Sequence, residues 1–185
     1  MKVIIISGSR NPDGQTARAA AAFARGLSEG GHETETVFLP ARNIERCRQC
    51  ANDGWGLCRK EGRCVIQDDF AEIVDKLNNA SGAVFATPVY FSDLSESIRS
   101  FLDRLRRITM HDNSSAEIKG KPAAGIAVAG GGGGGAPACI VQLEKITARC
   151  GFDVADLVPV RRQNLEFKTG ILISTGAWFA SLLKA

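Results

Sequence analysis

The hydrophobic and polar positions of the chain alternate between short apolar runs and longer amphipathic stretches. Residues 3–6 are all apolar and lead into a Ser-Gly-Ser turn, a pattern typical of a strand buried on both faces of a sheet. The alanine-rich stretch 16–27 ends before a Gly-Gly pair and predicts a helix. Residues 33–39 alternate polar with apolar side chains and predict a second, more exposed strand.

The same order of elements repeats along the rest of the chain. Asp68 and Asp69 are a typical helix start, with Asp68 as the N-cap. Further strands are predicted at 83–86, 123–129 and 154–160, and further helices over 70–77, 94–105, 140–150 and from about 165. In the last of these, Gly170 and Gly176 are poor helix formers. The five alternations predict an α/β fold: a doubly wound parallel sheet with helices on both faces.

Length and charge limit the protein classes that remain. The 185 residues suit one domain, 1–185, and are too few for a (β/α)₈ barrel, which needs ~250. A net charge of +3 does not predict nucleic-acid binding. No apolar run approaches the ~20 residues that span a bilayer, and the apolar start is too short for a signal peptide. We therefore expect a cytoplasmic protein with no nucleic-acid or membrane partner.

Four of the six cysteines lie in one segment, at about 46–66. In a reducing cytosol, metal binding or redox chemistry explains such a cluster better than a disulfide framework does. Four thiolates can hold a [4Fe–4S] cluster or a tetrahedral zinc, and spacing alone leaves these two and unligated thiols open. Cys139 and Cys150 lie in a helical pattern and are expected to be buried. The four clustered residues are Cys47, Cys50, Cys58 and Cys64.

Three loops follow predicted strands and are expected to meet at the carboxyl edge of the sheet, where ligands bind in this architecture. They span residues 7–16, 87–93 and 130–137. The first loop joins a buried strand to the start of a helix and carries hydroxyl side chains and glycines, and this combination predicts a phosphate site. The loop has neither a Walker A pattern nor a Gly-x-Gly-x-x-Gly pattern. In the second, Tyr90 and Phe91 either line a flat heterocycle or cap the core.

Other catalytic patterns are missing from the sequence. The first loop holds no cysteine, which excludes a low-molecular-weight tyrosine phosphatase, and no Gly-x-Ser-x-Gly elbow is present. His32 and His111 belong to no metal-binding pattern and are expected at the surface. One predicted helix carries four arginines: Arg99, Arg104, Arg106 and Arg107. We expect a solvated face partly neutralised by Asp103, with a docking surface for an NADPH phosphate or an acidic partner as the alternative.

Several motifs, in order, resemble the flavodoxin-like NADPH-dependent FMN reductases, and in particular their iron–sulfur flavoprotein branch. They are Ser7-Gly8-Ser9-Arg10, Gly14-Gln15-Thr16, Asp68-Asp69-Phe70, Thr87-Pro88-Val89-Tyr90-Phe91 and Ser100-Phe101-Leu102-Asp103-Arg104. The most specific part is the run 88–91 together with 103–104. The resemblance implies a five-stranded sheet in the order 2-1-3-4-5, FMN at the strand ends, and a homodimer or homotetramer.

The resemblance also implies which residues contact the cofactors. The phosphate group of FMN is assigned to Ser9, Arg10, Gly14, Gln15 and Thr16. The isoalloxazine is assigned to Pro88, Val89, Tyr90 and Phe91, with Gly131, Gly132 and Gly133 on its other side. Compared with the Cys-x₂-Cys-x₂-Cys spacing of the iron–sulfur branch, this chain has a five-residue insertion around 52–56. All four clustered cysteines are then the metal ligands.

The function implied is an FMN-dependent oxidoreductase that passes reducing equivalents from NAD(P)H or a small redox protein to a small-molecule or redox-protein acceptor. The flavin performs the hydride transfer, so no side chain is assigned as a catalytic acid or base. The alternative is a non-enzymatic iron–sulfur/FMN electron carrier. A third possibility is a thiol-based metal sensor on the same scaffold.

Overall fold

The five strands predicted from the sequence form one parallel sheet in the computed structural model, which describes residues 1–111, 114 and 116–183. Their order is β2-β1-β3-β4-β5, and every neighbouring pair is parallel. This confirms the flavodoxin-like topology. The strands are β1 (Lys2–Ser7), β2 (Glu33–Phe38), β3 (Gly82–Pro88), β4 (Pro122–Ala129) and β5 (Asp153–Arg161).

Helices connect the strands and cover both faces of the sheet. They are α1 (Gln15–Glu29), α2 (Leu57–Lys60), α3 (Phe70–Asn78), α4 (Glu96–Thr109), α5 (Ala136–Arg149) and α6 (Leu165–Leu182). The sequence did not predict α2, a single turn inside the cysteine segment. No helix in the described part of the chain is long and apolar enough to cross a bilayer. The single-domain organisation and the cytoplasmic location stay predictions.

The core has two halves because β1 is buried on both faces. Val3 and Ile5 face one way and share a cluster with α1 and α6, whereas Ile4 and Ile6 face the other way, toward α3, α4 and α5. All four side chains are fully buried. This alternation is what an apolar run in a parallel sheet predicts.

Two glycines allow α1 and α6 to cross at close range. A Cβ on Gly26 would lie 2.0 Å from the carbonyl oxygen of Ile173, and a Cβ on Gly176 would lie 2.2 Å from that of Phe23. From the sequence alone, Gly176 is a poor helix former, yet α6 continues through this position without a break. The close backbone contact explains why glycine stands in this helix.

Some predicted boundaries were wrong by one or two residues. Leu39 lies in a 3-10 turn, Leu39–Ala41, because Pro40 has no N–H to continue the ladder of β2. Leu94 precedes the N-cap of α4 and is not part of its helical stripe. The N-cap of α3 is Asp69 and not Asp68, whose carboxylate instead accepts a hydrogen bond from the Phe70 N–H.

Two expectations about surface residues were also wrong. Arg104 is not solvated, because its side chain is 1% exposed and pairs with Asp68 rather than with Asp103. His32 is half-buried, with its Nε2 3.2 Å from the carbonyl oxygen of Ala180. His111 is half-buried too and meets the Trp55 ring edge-on. Contacts with residues distant in sequence, which periodicity along one helix does not show, explain all three: Asp68 for Arg104, the Ala180 carbonyl for His32 and the Trp55 ring for His111.

Candidate functional site

A cavity of about 490 Å³ opens at the carboxyl ends of β1, β3 and β4. It brings together residues from all three predicted ligand loops. Of the residues assigned to flavin contacts, Ser9, Arg10, Gly14 and Phe91 do not line it. The cavity is lined by Gln15, Thr16, Pro88, Val89, Tyr90, Val128, Ala129, Gly130, Gly131, Gly132, Gly133 and Gly134.

The N-terminus of α1 borders this cavity with its N–H groups uncapped by any side chain. The N-cap residue, Gly14, has no side chain to offer, and no acidic residue lies in the first turn. Because the first N–H groups of a helix lack intrahelical partners and carry partial positive charge, this end favours an anion. Ser9 is buried, with its hydroxyl donating to the Asn11 carbonyl at 2.9 Å, whereas Arg10 is exposed.

Gln15 carries an unsatisfied acceptor at the mouth of α1. Its Oε1 is buried and has no hydrogen-bond partner among the described residues, although Gln15 lines the cavity. A buried carbonyl oxygen without a donor costs about 1–3 kcal/mol, so such atoms are found where a ligand supplies the donor. The ribityl hydroxyls of FMN are donors of this kind.

The glycine run after β4 forms an open wall of the cavity. Gly131 and Gly133 have positive φ angles of 43° and 77°. Side chains added at Gly130, Gly132 or Gly134 would meet no atom within 4 Å, so the loop backbone borders open space. A flat ring can therefore approach these peptide groups closely, which a loop with side chains would prevent.

Gln163 fixes the glycine loop and was not identified from the sequence. Its Nε2 donates to the carbonyl oxygen of Gly132 at 2.9 Å, and a Cβ on Gly133 would lie 2.1 Å from its Oε1. Gln163 belongs to the short turn Arg162–Asn164 before α6. A lone glutamine between two elements gives no sequence signal for this contact.

A tight two-residue turn follows β3 at the rim of the cavity. Tyr90 and Asp93 exchange backbone hydrogen bonds of 3.0 and 2.9 Å, and the two residues between them, Phe91 and Ser92, have φ angles of 49° and 64°. Tyr90 is 46% exposed and Phe91 fully exposed, so neither caps the core. Positive φ at two adjacent non-glycine residues is uncommon and strained.

The four clustered cysteines line a second, narrow pocket between the 46–66 segment and α4. Arg48, Arg104 and Arg107 share the lining, together with apolar residues that include Leu57 and Ile108. The donor set fits a four-sulfur site, and the arginines fit the negative charge that four thiolates bring. Among residues 1–111, 114 and 116–183, however, no three potential ligands lie close enough together to hold a metal ion as they stand.

Arg104 joins both ends of the cysteine segment to α4. Its guanidinium donates to the Glu45 carbonyl at 3.0 Å, to the Cys64 sulfur at 3.4 Å, and to both carboxylate oxygens of Asp68. The guanidinium carbon also lies 4.2 Å from the centre of the Phe70 ring. One buried cation therefore fixes both ends of the segment relative to α4.

Trp55 lies in the middle of the same segment and packs against a residue of α4. The guanidinium carbon of Arg107 lies 4.2 Å from the Trp55 ring centre, and Arg107 also donates a hydrogen bond to the Gly54 carbonyl. His111 also meets the Trp55 ring edge-on, at 5.1 Å between ring centres. The 52–56 insertion is thus held against α4.

The remaining cysteines are buried, as predicted. Burial raises the pKa of the Cys139 thiol to about 12 and raises that of Cys150 further still. Both thiols therefore stay protonated and unreactive at neutral pH.

Comparison with known proteins agrees with this geometry. The family model described as NADPH-dependent FMN reductase matches residues 1–154. An iron–sulfur flavoprotein of Methanocaldococcus jannaschii is 34% identical over 125 residues, which are 68% of this chain and 62% of the relative. An iron–sulfur flavoprotein of Methanosarcina thermophila is 33% identical over 133 residues, 70% of this chain and 64% of that relative. The chain thus spans less than two thirds of the length of these relatives.

Solved structures share the fold over nearly the whole chain. A flavone reductase superposes with a TM-score of 0.75 at 18% identity, covering 99% of this chain and 63% of that one. An NAD(P)H:quinone oxidoreductase from Methanothermobacter marburgensis gives 0.69 at 20% identity, with coverages of 96% and 94%. At such identities the likeness supports the fold only.

Proposed function

The chain belongs to the NADPH-dependent FMN reductase family, and from that premise we propose that it is an FMN-dependent oxidoreductase. It takes reducing equivalents from NAD(P)H or a small redox protein and passes them to a small-molecule or redox-protein acceptor. The observation that carries the proposal is the cavity at the strand ends, where an uncapped helix N-terminus, an orphaned Gln15 oxygen and an open glycine wall meet. When bound, FMN supplies the hydride chemistry.

The chain's own residues bind and orient the flavin. The first-turn N–H groups of α1 and the hydroxyl of Thr16 hold the phosphate group. Gln15, which the resemblance assigns to the phosphate group, instead accepts a hydrogen bond from the ribityl chain, because its unpartnered buried atom is an acceptor. Val89 and Tyr90 border one side of the ring, and the Gly131–Gly133 backbone borders the other. Ser9 shapes the first loop through its bond to Asn11. Arg10 and Phe91, both exposed, extend from the rim, where the second substrate enters.

The test is FMN titration of the flavin-free protein, with a variant that fills the cavity. Gly132 has no positive φ and its Cβ would meet nothing, so Gly132→Val places a side chain at the open wall without disturbing the fold. We expect tight binding by the parent protein and at least ~100-fold weaker binding by the variant, with melting temperatures within ~2 °C of each other. Failure of the parent protein to bind FMN would refute the proposal.

Anaerobic mixing with NADPH separates the enzyme from the electron carrier. Bleaching of the flavin absorbance within seconds supports the enzyme. Bleaching by dithionite or reduced ferredoxin alone supports the carrier, because then the flavin is reducible but the nicotinamide does not react. The same experiment with NADH compares the two nicotinamide donors.

We further propose that Cys47, Cys50, Cys58 and Cys64 bind a [4Fe–4S] cluster that exchanges single electrons with the flavin. The shared pocket, its three arginines and the iron–sulfur names of the relatives support this assignment. Ligation requires the segment to draw its sulfurs closer than they stand in the described residues. The chain's arginines would offset the net negative charge of the ligated cluster, and Arg104 would donate to one of its sulfurs.

Anaerobic reconstitution with iron and sulfide tests this assignment. We expect about four irons and four sulfides per chain, and their loss in Cys50→Ser. The control is Cys139→Ala, a buried cysteine outside the pocket, which keeps both. Two outcomes would contradict the cluster. About one zinc per chain and no sulfide would show that the four cysteines form a structural zinc site, and no metal at all would show that they are free thiols.

A further inference from the structure

A further cavity, of about 700 Å³, opens on the cysteine segment, and we call it the outer cavity. Its volume is in the range of ~300–1,000 Å³ that small-molecule sites occupy. Because four of its lining residues belong to the 52–56 insertion, the insertion builds much of this cavity. These four are Asn52, Asp53, Trp55 and Gly56.

Three larger apolar side chains also line the outer cavity: Trp55, Leu57 and Val65, of which Val65 is 37% exposed. The Trp55 ring is held in place by Arg107 and by the edge-on contact with His111. A side chain that is already fixed loses little conformational entropy when a ligand packs on it. Leu57 and Val65 line the cysteine pocket as well, so a ligand that contacts them lies beside that pocket.

The charged side chains of the outer cavity are mainly cationic. Among the described residues, Arg59 and Lys60 stand against the single carboxylate of Asp53, which accepts a hydrogen bond from Arg59 at 3.2 Å. The guanidinium carbon of Arg59 also lies 5.4 Å from the centre of the Trp55 ring. A ligand can therefore place an aromatic ring on the apolar lining and an anionic group on a cation at the same time.

The charge of the whole cysteine segment favours the same kind of ligand. Residues 46–66 carry five Lys or Arg and two Asp or Glu, out of 23 and 20 in the chain, so the other residues hold 18 of each. The entire net charge of +3 thus lies in the segment that forms the outer cavity. A local excess of this kind attracts anions and raises their concentration at the surface.

We propose that the outer cavity binds a small aromatic anion, a flat ring that carries a sulfonate, carboxylate or phosphate group. The ring packs on Trp55, Leu57 and Val65, and the anionic group pairs with Arg59 and Lys60. The linings of the outer cavity and of the flavin cavity share no described residue. The site therefore stands or falls separately from FMN binding and from the iron–sulfur cluster.

Titration with an anthraquinone monosulfonate tests the site, because this probe joins a flat ring system to one permanent anion. All proteins carry Trp178→Phe, which leaves Trp55 as the only tryptophan. We expect quenching of its fluorescence with a dissociation constant of about 10–100 μM. An uncharged hydroxymethyl anthraquinone should bind at least ~10-fold more weakly, since it cannot pair with the cations. Adding Gly132→Val, which fills the flavin cavity, should leave the affinity for the sulfonate unchanged.

Charge-removing variants locate the anionic group. Arg59→Gln with Lys60→Gln removes both cations of the outer cavity, so the sulfonate should bind at least ~10-fold more weakly. The matched control, Arg46→Gln with Arg63→Gln, removes two charges from exposed positions of the same segment that do not line the cavity. This control should change the affinity less than ~3-fold, because screened charges act weakly at a distance. Melting temperatures within ~2 °C of the parent verify that both double variants are folded.

Four results would overturn the proposal. They are a sulfonate that does not bind at ~1 mM, binding that Gly132→Val abolishes, equal affinity for the uncharged probe, and equal losses in the two double variants. Adenosine monophosphate, which also joins a flat ring to an anion, is titrated in parallel. Tighter binding of this nucleotide or of the sulfonate, with the same dependence on Arg59 and Lys60, supports the site and shows which source of aromatic anion it prefers.

Discussion

Arg104 and Asp68 form a two-point ion pair in the protein interior. Nη1 of Arg104 donates to one carboxylate oxygen at 2.6 Å and Nη2 to the other at 2.9 Å, and the two side chains are 1% and 0% exposed. Glu45 and Cys64, near the two ends of the cysteine segment, are bonded to the same guanidinium. The pair therefore acts on the segment and on α4 together.

Asp68→Asn is expected to destabilise the protein by about 3 kcal/mol at pH 7, because it leaves the Arg104 charge buried without its partner. Burial raises the pKa of the Asp68 carboxyl, but hydrogen bonds from Arg104 and from two N–H groups outweigh burial and lower it overall. The stability from this group is thus present above the unfolded pKa of about 4 and is lost as the pH falls through the lower folded value. Urea unfolding from pH 7 to ~3 should show the difference between parent and variant shrinking.

The matched control for this pair is Asp103→Asn. Asp103 is the neighbour of Arg104 in sequence and lies outside the ion pair, so we expect the free energy of unfolding at pH 7 to fall by less than about 0.5 kcal/mol. A pH-independent difference between the parent and Asp68→Asn would contradict the assignment of the lowered pKa to Asp68.

Gln15→Met is expected to act in opposite directions on the flavin-free protein and on FMN binding. Removing an unsatisfied buried acceptor should raise the unfolding free energy of the flavin-free protein by about 1 kcal/mol. Losing the acceptor for the ribityl chain should weaken FMN binding about tenfold. Chemical unfolding and fluorescence titration measure the two effects. Arg18→Met, one turn along α1 at an exposed position, should change neither, and a destabilised Gln15→Met protein would show that the Gln15 oxygen is already satisfied.

Trp55→Ala should open the cysteine segment. Without the ring that packs on Arg107 and His111, the 52–56 insertion keeps only the hydrogen bond from Arg107 to the Gly54 carbonyl as its contact with α4 described above. In metal-free protein we expect iodoacetamide to modify Cys58 and Cys64 several-fold faster, as measured by mass spectrometry of the peptides. Cys139 and Cys150 are internal references that stay unmodified, because burial raises the pKa of both thiols. Trp178→Ala, at the only other tryptophan, should leave the rates unchanged.

Gly176→Ala should separate α1 from α6. Its Cβ would meet the Phe23 carbonyl at 2.2 Å, and backbone cannot move aside as a side-chain end can, so we expect a loss of about 3 kcal/mol. The melting temperature should fall by roughly 6–12 °C. Gly170→Ala makes the same change in the same helix, at a position where the new Cβ would meet no atom within 4 Å. This variant should raise the free energy of unfolding by up to about 1 kcal/mol. Equal effects at the two positions would mean that close packing does not set the choice of glycine.

Periodicity along the chain predicted the parallel sheet and the three ligand loops, because buried strands and amphipathic helices leave strong local patterns, whereas the order of the strands came from the family resemblance. Contacts between distant elements leave none. Arg104 was wrongly predicted as solvated since its partner, Asp68, lies on another element. Gln163 was missed for the same reason, as its contact is with a loop 31 positions earlier. All the flavin-contact and metal-ligand assignments came from the resemblance and stay predictions, and four of the flavin contacts, Ser9, Arg10, Gly14 and Phe91, do not line the cavity.

The crossing of α1 and α6 through Gly26 and Gly176 means that the family signature is smaller than the folding unit. A truncation at residue 154 would remove all of α6 and all but the first two residues of β5. The part of the sheet face that α6 covers would then be exposed to water, and so would the part of the Phe23 ring that meets Phe179, at 5.8 Å between ring centres. A fragment with every flavin-loop residue up to that point would carry the signature of the fold and still aggregate.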